Sequence, residues 1–199
     1  LSCAKAIDMA TATGKPDWQA RAALLTPIAK AYGTDVACEV AHLGVQIHGG
    51  MGFIEETGAA QFLRDARILP IYEGTNGIQA MDLVGRKLAR EKVPGAAMKT
   101  LIAEMSATAE EIAGDAQLAT IAVNLKNGIN SLSTAADWIL ANYDSAPAAV
   151  HAGSVPFLKL TGIVVGGWLM AKSAAIAVKH LAEGTTDDFY KAKLATATY

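Results

Sequence analysis

Between residues 17 and 47, apolar side chains return at Leu25, Ile28, Tyr32, Val36, Val40, Leu43 and Ile47, at steps of three or four. That spacing predicts a long helix with one stripe turned toward a core for about eight turns. Pro27 lies inside the run and is expected to bend it or to mark two consecutive helices. The run His48-Gly49-Gly50-Met51-Gly52 ends it, because closely spaced glycines do not continue a helix cheaply and each permits positive φ or close backbone approach. A short helix is expected over residues 59–67. Residues 68–74 should be irregular, since Pro70 pushes its predecessor out of the α region. Thr75 suits the N-cap of a helix from residue 76 to about residue 91, with Ile78, Met81, Val84 and Leu88 on one side.

Val93-Pro94-Gly95 ends that helix and divides the chain into an expected first unit, residues 1–93, and a second, residues 94–199. The second unit reads as helices over residues 96–113, 115–143 and 156–182, with a loop at 147–154 and a last helix starting near Asp187. Leu118, Ile121, Leu125, Ile129, Leu132 and Ala136 again fall at helical steps. The segment 158–178 is apolar enough to raise the question of a membrane span. Lys159 and Lys172 near its ends and its amphipathic neighbours favour a central buried helix instead, so no span is expected. Gly162, Gly166 and Gly167 should let a neighbouring helix approach, with Trp168 filling space beside them. No stretch alternates as a strand does. The expected fold class is all-α.

Composition sharpens this picture. Of 199 residues, 40 are alanine while 6% are aromatic, which favours helices with closely approaching axes over a β-sandwich. A net charge of -2 argues against broad affinity for a phosphate backbone, so no nucleic-acid partner is expected. Cys3 and Cys38 share no metal-ligand spacing and are too few for a disulfide framework. Reduced thiols and a cytoplasmic location are the expectation. Helical pattern begins at Leu1 without an initiator Met or a cap, and we expect the chain to be a piece of a longer protein.

Candidate chemistry concentrates between residues 46 and 79. The glycine-rich turn exposes backbone N–H groups that can approach a phosphate or a flat ring. Thr75 at a helix N-terminus adds a hydroxyl, free N–H groups and the positive end of a dipole, which suits a pyrophosphate or another anion. Glu73 lies two residues before that helix, among Ile68, Ile71 and Tyr72. A carboxylate in such company is expected to be buried and desolvated, which tunes it as a general base working near neutral pH. From the residues alone the plainer reading stands beside this one: a glycine-rich break as a simple turn, and Glu73 as a solvated or capping residue. His42, His48, His151 and His180 do not cluster and no metal is expected; His48, beside the glycines, could touch a bound cofactor, but a turn histidine with a local hydrogen bond is the favoured reading.

Three blocks carry a resemblance: Gln46-Ile47-His48-Gly49-Gly50-Met51-Gly52-Phe53, Arg64-Asp65-Ala66-Arg67-Ile68, and Ile71-Tyr72-Glu73-Gly74-Thr75-Asn76-Gly77-Ile78-Gln79. In order and spacing, across roughly the first 92 residues, they resemble the acyl-CoA dehydrogenase flavoprotein family. The continuation through Met81-Asp82-Leu83-Val84-Gly85-Arg86 resembles that family's long bacterial branch, that of the 3-methylmercaptopropionyl-CoA dehydrogenases, which carries an extra helical domain after the C-terminal bundle. Residues 95–199 resemble that appended domain more loosely. The implied function is FAD-dependent α,β-dehydrogenation of an acyl-CoA thioester in fatty-acid metabolism. The implied partners are electron-transferring flavoprotein as acceptor and further copies of the chain in a homodimer or homotetramer.

The resemblance also implies roles. Glu73 would be the catalytic base that takes the substrate's α-proton, while its backbone N–H helps polarise the thioester carbonyl. Gln46, Ile47, Gly49 and Gly50 would hold the FAD adenosine and pyrophosphate, often for the neighbouring subunit, and Thr75 would contact the cofactor. Tyr72 and Gly74 would meet the substrate, Tyr72 lining the acyl pocket. Gly77 stands where several relatives carry a longer side chain, so its contact with the cofactor would be through backbone. Arg64 and Asp65 are expected to form a structural ion pair. Most of the flavin cradle would lie outside this chain, which alone should lack turnover. Two other readings are kept: a helical oligomerisation module without chemistry, and an acyl-CoA oxidase passing electrons to oxygen.

Overall fold

The computed structural model describes residues 1–198, and among them every regular element is helical. α1 (Ser2–Thr13) and α2 (Pro16–Ile47) form an antiparallel hairpin. Gly14 closes α1 at φ +64, its N–H donating to Ala10 O, and Pro16 opens α2 at a position that needs no donor. α3 (Gly50–Phe53), a 3-10 turn (Glu55–Thr57) and α4 (Ala59–Ala66) follow the glycine-rich break. α5 (Asn76–Val84) passes into a π-helical turn at Gly85–Ala89 rather than running on to residue 91. The second half comprises α6 (Ala96–Ile112), α7 (Ala119–Asn142), α8 (Pro147–Ala152), α9 (Ser154–Ala182) and α10 (Asp188–Thr198). The expected loop after residue 147 is a short helix, started by Pro147 in its first turn.

α9 is the hub. By length and composition it is apolar enough to cross a membrane, but in the fold it packs on α2, α5, α6, α7 and α10. Phe157, Leu158, Val164, Val165 and Trp168 are buried along it, and the Trp168 indole N–H donates to Thr108 Oγ1 at 2.8 Å. One hydrophobic cluster runs from Ala6 and Leu24 through Leu83 and Leu88 to Leu101, Leu132 and Ala174, so it joins residues on both sides of the 93–95 connector. Arg90 crosses the same divide, pairing with Asp144 and lying 5.0 Å over the Tyr143 ring.

Three sequence expectations are corrected here. Of the two alternatives at Pro27 the two-helix one is removed, since α2 is one continuous helix with Pro27 buried inside it, and the hydroxyl of the preceding Thr26 folds back to Ala22 O at 2.7 Å. The stripe on α2 faces the core only in its first half: Leu25 and Ile28 are buried, whereas Val36, Val40, Leu43 and Ile47 are exposed. Gly162 does admit a neighbour, the Tyr32 ring, but nothing lies within 4 Å of a Cβ at Gly166 or Gly167.

Candidate functional site

The site is built on the segment between α4 and α5. Tyr72 N–H and Ile71 N–H both return to Ile68 O, at 3.2 and 3.0 Å, and Asn76 N–H closes the loop onto Pro70 O at 3.0 Å. Inside this closed loop Glu73 takes φ +53, which no other non-glycine among the described residues does. Side chains pay roughly 1–2 kcal/mol for that left-handed conformation, so the surrounding bonds must hold it there. Gly74 follows at φ +85, and a Cβ on it would meet Gln79 Nε2 at 3.1 Å. The Gln79 amide itself donates to Glu73 O at 3.4 Å. Thr75 caps α5 as expected, its hydroxyl oxygen accepting from Ile78 N–H at 3.4 Å.

Asn76 fastens the loop to α2. Its amide nitrogen donates toward Asp35 Oδ1 at 2.7 Å, Thr34 Oγ1 at 2.9 Å and Ala31 O at 3.1 Å, and its amide oxygen accepts from Lys30 Nζ at 2.8 Å. The sequence reading gave Asn76 no role beyond starting a helix. Lys30 and Thr34 share a helix face at i, i+4, which was visible, but nothing in the chain pairs them with a residue more than forty positions later.

The glycine-rich turn lies elsewhere on α2. Gln46 and Ile47 are exposed on its last turn, and His48 Nδ1 lies 2.8 Å from Gly44 O in the local contact expected of a turn histidine. Gly49 takes φ +60 and ψ −142, a region closed to other residues, and no atom lies within 4 Å of a Cβ at Gly49 or Gly50. Gly52 is demanded by packing, since a Cβ there would fall 2.3 Å from Val45 O. Asn76 grips α2 around residues 31–35, so at 1.5 Å per residue the glycine turn is displaced along the axis by about 20 Å. The structure thus brings Tyr72, Glu73, Gly74, Thr75 and Gly77 together, and it does not bring Gln46, Ile47, Gly49 and Gly50 to them.

Two side chains are placed differently from expectation. The Glu73 carboxylate is exposed, not buried, because Ile68, Ile71 and Tyr72 are themselves turned outward and leave it no apolar cover. Arg64 pairs with Glu55 at 2.7 Å instead of Asp65, since neighbours in sequence on a helix point to different faces while Glu55 sits across the preceding turn. Around Glu73 the exposed side chains are unusually apolar: Ile68, Ile71, Tyr72, Ile78 and Met81 all lie open to solvent. Phe53 and Ile47, more than four-fifths exposed, mark the glycine turn in the same way. Such surfaces mark contact sites.

Residues 2–89 match the family model described as acyl-CoA dehydrogenase, C-terminal domain, and residues 101–199 match the one described as acetyl-CoA dehydrogenase C-terminal like. The chain is 50% identical, over 181 residues, to a 3-methylmercaptopropionyl-CoA dehydrogenase of Ruegeria pomeroyi; the match covers 90% of this chain and 30% of that protein. It is 32% identical over 185 residues to a broad-specificity linear acyl-CoA dehydrogenase of Mycobacterium tuberculosis, covering 88% of this chain and 30% of the relative. In fold it resembles the crystal structure of Caenorhabditis elegans ACDH-11 in complex with C11-CoA, at a TM-score of 0.72 and 18% identity, over 99% of this chain and 31% of that one. The chain therefore spans about three-tenths of the length of the relatives it matches.

Proposed function

Since the chain belongs to the acyl-CoA dehydrogenase family, in that family's C-terminal helical region, we propose that it is the C-terminal part of an FAD-dependent enzyme that converts an acyl-CoA thioester to the α,β-enoyl-CoA. One observation carries the reading: a carboxylate, Glu73, sits at a strained backbone position in a loop closed by the Asn76 N–H on Pro70 O, at the rim of an exposed apolar surface. Strain of this kind collects at functional sites. The apolar surface gives the other seven-tenths of a protein of its relatives' length, and a second subunit, something to cover, and covering it would desolvate Glu73.

The residues present fit a bound FAD. Gly49 and Gly50 leave an uncluttered backbone, and the first-turn N–H of Gly77, beside the Thr75 cap, is free of the helix ladder. Thr75 and Gly77 would hold the cofactor on this subunit. Gln46, Ile47, Gly49 and Gly50, displaced along α2, would meet the cofactor of the neighbouring subunit, which argues for at least a homodimer. Bound FAD would supply the two-electron acceptor for the hydride that leaves the substrate's β-carbon, and electron-transferring flavoprotein would then collect the electrons.

The chain's own part is proton chemistry and alignment. Glu73 accepts the α-proton as the Cα–H bond breaks, and its backbone N–H stabilises the negative charge that develops on the thioester oxygen. Tyr72 and Gly74 flank the acyl group, and the exposed side chains of Ile71 and Ile78 would help to exclude water once covered. The second half, through α9 on α5, supports the helix that carries the site.

The test is Glu73→Gln in the full-length protein. It should abolish turnover of a panel of acyl-CoA thioesters, linear chains and 3-methylmercaptopropionyl-CoA included, while the protein stays yellow with bound flavin. Retained turnover would overturn the assignment.

A further inference from the structure

We propose that Asn76 is the positioning residue for the Glu73 carboxylate, acting through a polar clasp with Lys30, Thr34 and Asp35 of α2. The proposal rests on the reading of Glu73 as the base and deepens it.

The loop that presents Glu73 has two ends, and Asn76 ties one of them twice. Its backbone N–H closes the loop onto Pro70 O, and its side chain joins α2 through donor and acceptor at once. The donor side is well defined chemically. An amide NH2 has two hydrogens, and Asp35 Oδ1 and Thr34 Oγ1 are the nearer acceptors at 2.7 and 2.9 Å. The Thr34 hydroxyl passes its own hydrogen to Lys30 O at 2.8 Å, so it is free to accept from Asn76. The amide oxygen takes Lys30 Nζ, and each side chain of the clasp is thereby oriented by another.

This fastening matters because the loop is strained. Glu73 at φ +53 would relax toward the common left half of backbone space if the loop's end were released. The second brace is weak, a 3.4 Å bond from the Gln79 amide to Glu73 O. Gln79 stands on the same helix, so it moves with Asn76 rather than holding the loop independently. α2, in contrast, is a 32-residue helix anchored in the core through Leu24, Leu25 and Ile28, and it is a fixed reference for the carboxylate. Displacing a catalytic group by about 1 Å can cost about 100-fold in rate.

An amide is required here, and no other side chain of the same size meets the clasp. Asn76→Asp keeps the acceptor for Lys30 but sets a carboxylate against Asp35. Adding Asp35→Asn restores a donor opposite an acceptor, with the roles exchanged.

The experiment uses the full-length flavin-loaded protein and the acyl-CoA of the panel that bleaches wild-type flavin fastest. Asn76→Ala, Asn76→Asp, the double variant Asn76→Asp with Asp35→Asn, and Glu73→Gln are compared by single-turnover bleaching per bound flavin. Binding of an enoyl-CoA is followed separately by its perturbation of the flavin spectrum. We expect Asn76→Ala and Asn76→Asp to bleach about 100-fold more slowly, with enoyl-CoA affinity within about threefold of wild type. The double variant should recover at least about tenfold over Asn76→Asp.

A bleaching rate within about threefold of wild type in Asn76→Ala, with Glu73→Gln inactive, overturns the role of Asn76 and leaves that of Glu73 standing. Turnover by Glu73→Gln overturns both. Should Asn76→Ala come without flavin, the Asp exchange decides on the same rate: recovery supports the clasp, and failure to recover overturns it. Flavin loss in every Asn76 variant also overturns it, being the mark of a structural role.

Discussion

The Tyr32 side chain of α2 packs against Gly162 of α9, so closely that a Cβ on Gly162 would stand 2.4 Å from the ring's Cγ. Contact at that distance joins a helix of the first half to the hub of the second with no room for a methyl group. Gly162→Ala should therefore force the two helices apart and destabilise the protein by about 1–3 kcal/mol. Gly167→Ala, one turn further on with nothing in reach, should be neutral or should stabilise by about 0.5–1 kcal/mol through helix propensity. Urea unfolding of the two variants beside wild type measures the difference. Equal midpoints would refute the close approach.

Trp168 offers a second measurable join. Its indole is buried, and its N–H has Thr108 Oγ1 as partner at 2.8 Å. Thr108→Val keeps the volume but removes the acceptor, leaving a buried donor unpaired at a cost of about 1–3 kcal/mol. Thr108→Ser keeps the oxygen and should lose much less. The order of thermal midpoints, wild type above Ser above Val, is the expected result.

Glu91 gives the fold a pH dependence of predictable sign. It sits partly buried before α6, and burial raises its pKa above the ordinary 4.5, opposed by bonds from the backbone N–H groups of Ala97 and Ala96. A carboxyl group with a raised folded-state pKa binds its proton more tightly folded than unfolded. Its contribution is thus most favourable below 4.5 and is lost as pH rises through the folded value. Glu91→Gln removes that loss. Its thermal midpoint relative to wild type should be higher at pH 7 than at pH 4, and an unchanged difference between the two would count against the burial effect.

Much of this architecture can be read from spacing alone, and the failures share one physical cause. Helical period shows which face of α2 is apolar, but not how much of that face another element covers. Hence Leu25 and Ile28 meet the core while Val40 and Ile47 do not. The same gap misplaced Glu73: apolar neighbours in sequence bury a carboxylate only when they turn toward it, and Ile71 and Tyr72 turn outward. The Thr75 cap was legible because a cap is a local bond, closed within three residues. The Asn76 clasp was not, because its partners lie 41 to 46 positions away. Gly162 and Gly166 look alike as sequence, and only packing separates the one with a ring against it from the one with none.

Glu73 itself permits a sharper test of the link between strain and function. At φ +53 any side chain costs about 1–2 kcal/mol, whereas glycine adopts that conformation freely. Glu73→Gly therefore relieves the folded state. It also loosens the unfolded chain, an opposing entropy that offsets part of the gain. The net expectation in the full-length protein is a stability equal to wild type or higher by up to about 1 kcal/mol, together with complete loss of acyl-CoA turnover. Glu73→Ala, which keeps the strain and removes the carboxylate, should be as inactive and no more stable than wild type. Glycine above alanine in the urea midpoint is thus the signature of the backbone strain. The inactivity of both is the signature of the missing base, and a glycine variant less stable than the alanine one would mean that residue 73 is not held in the left-handed region at all.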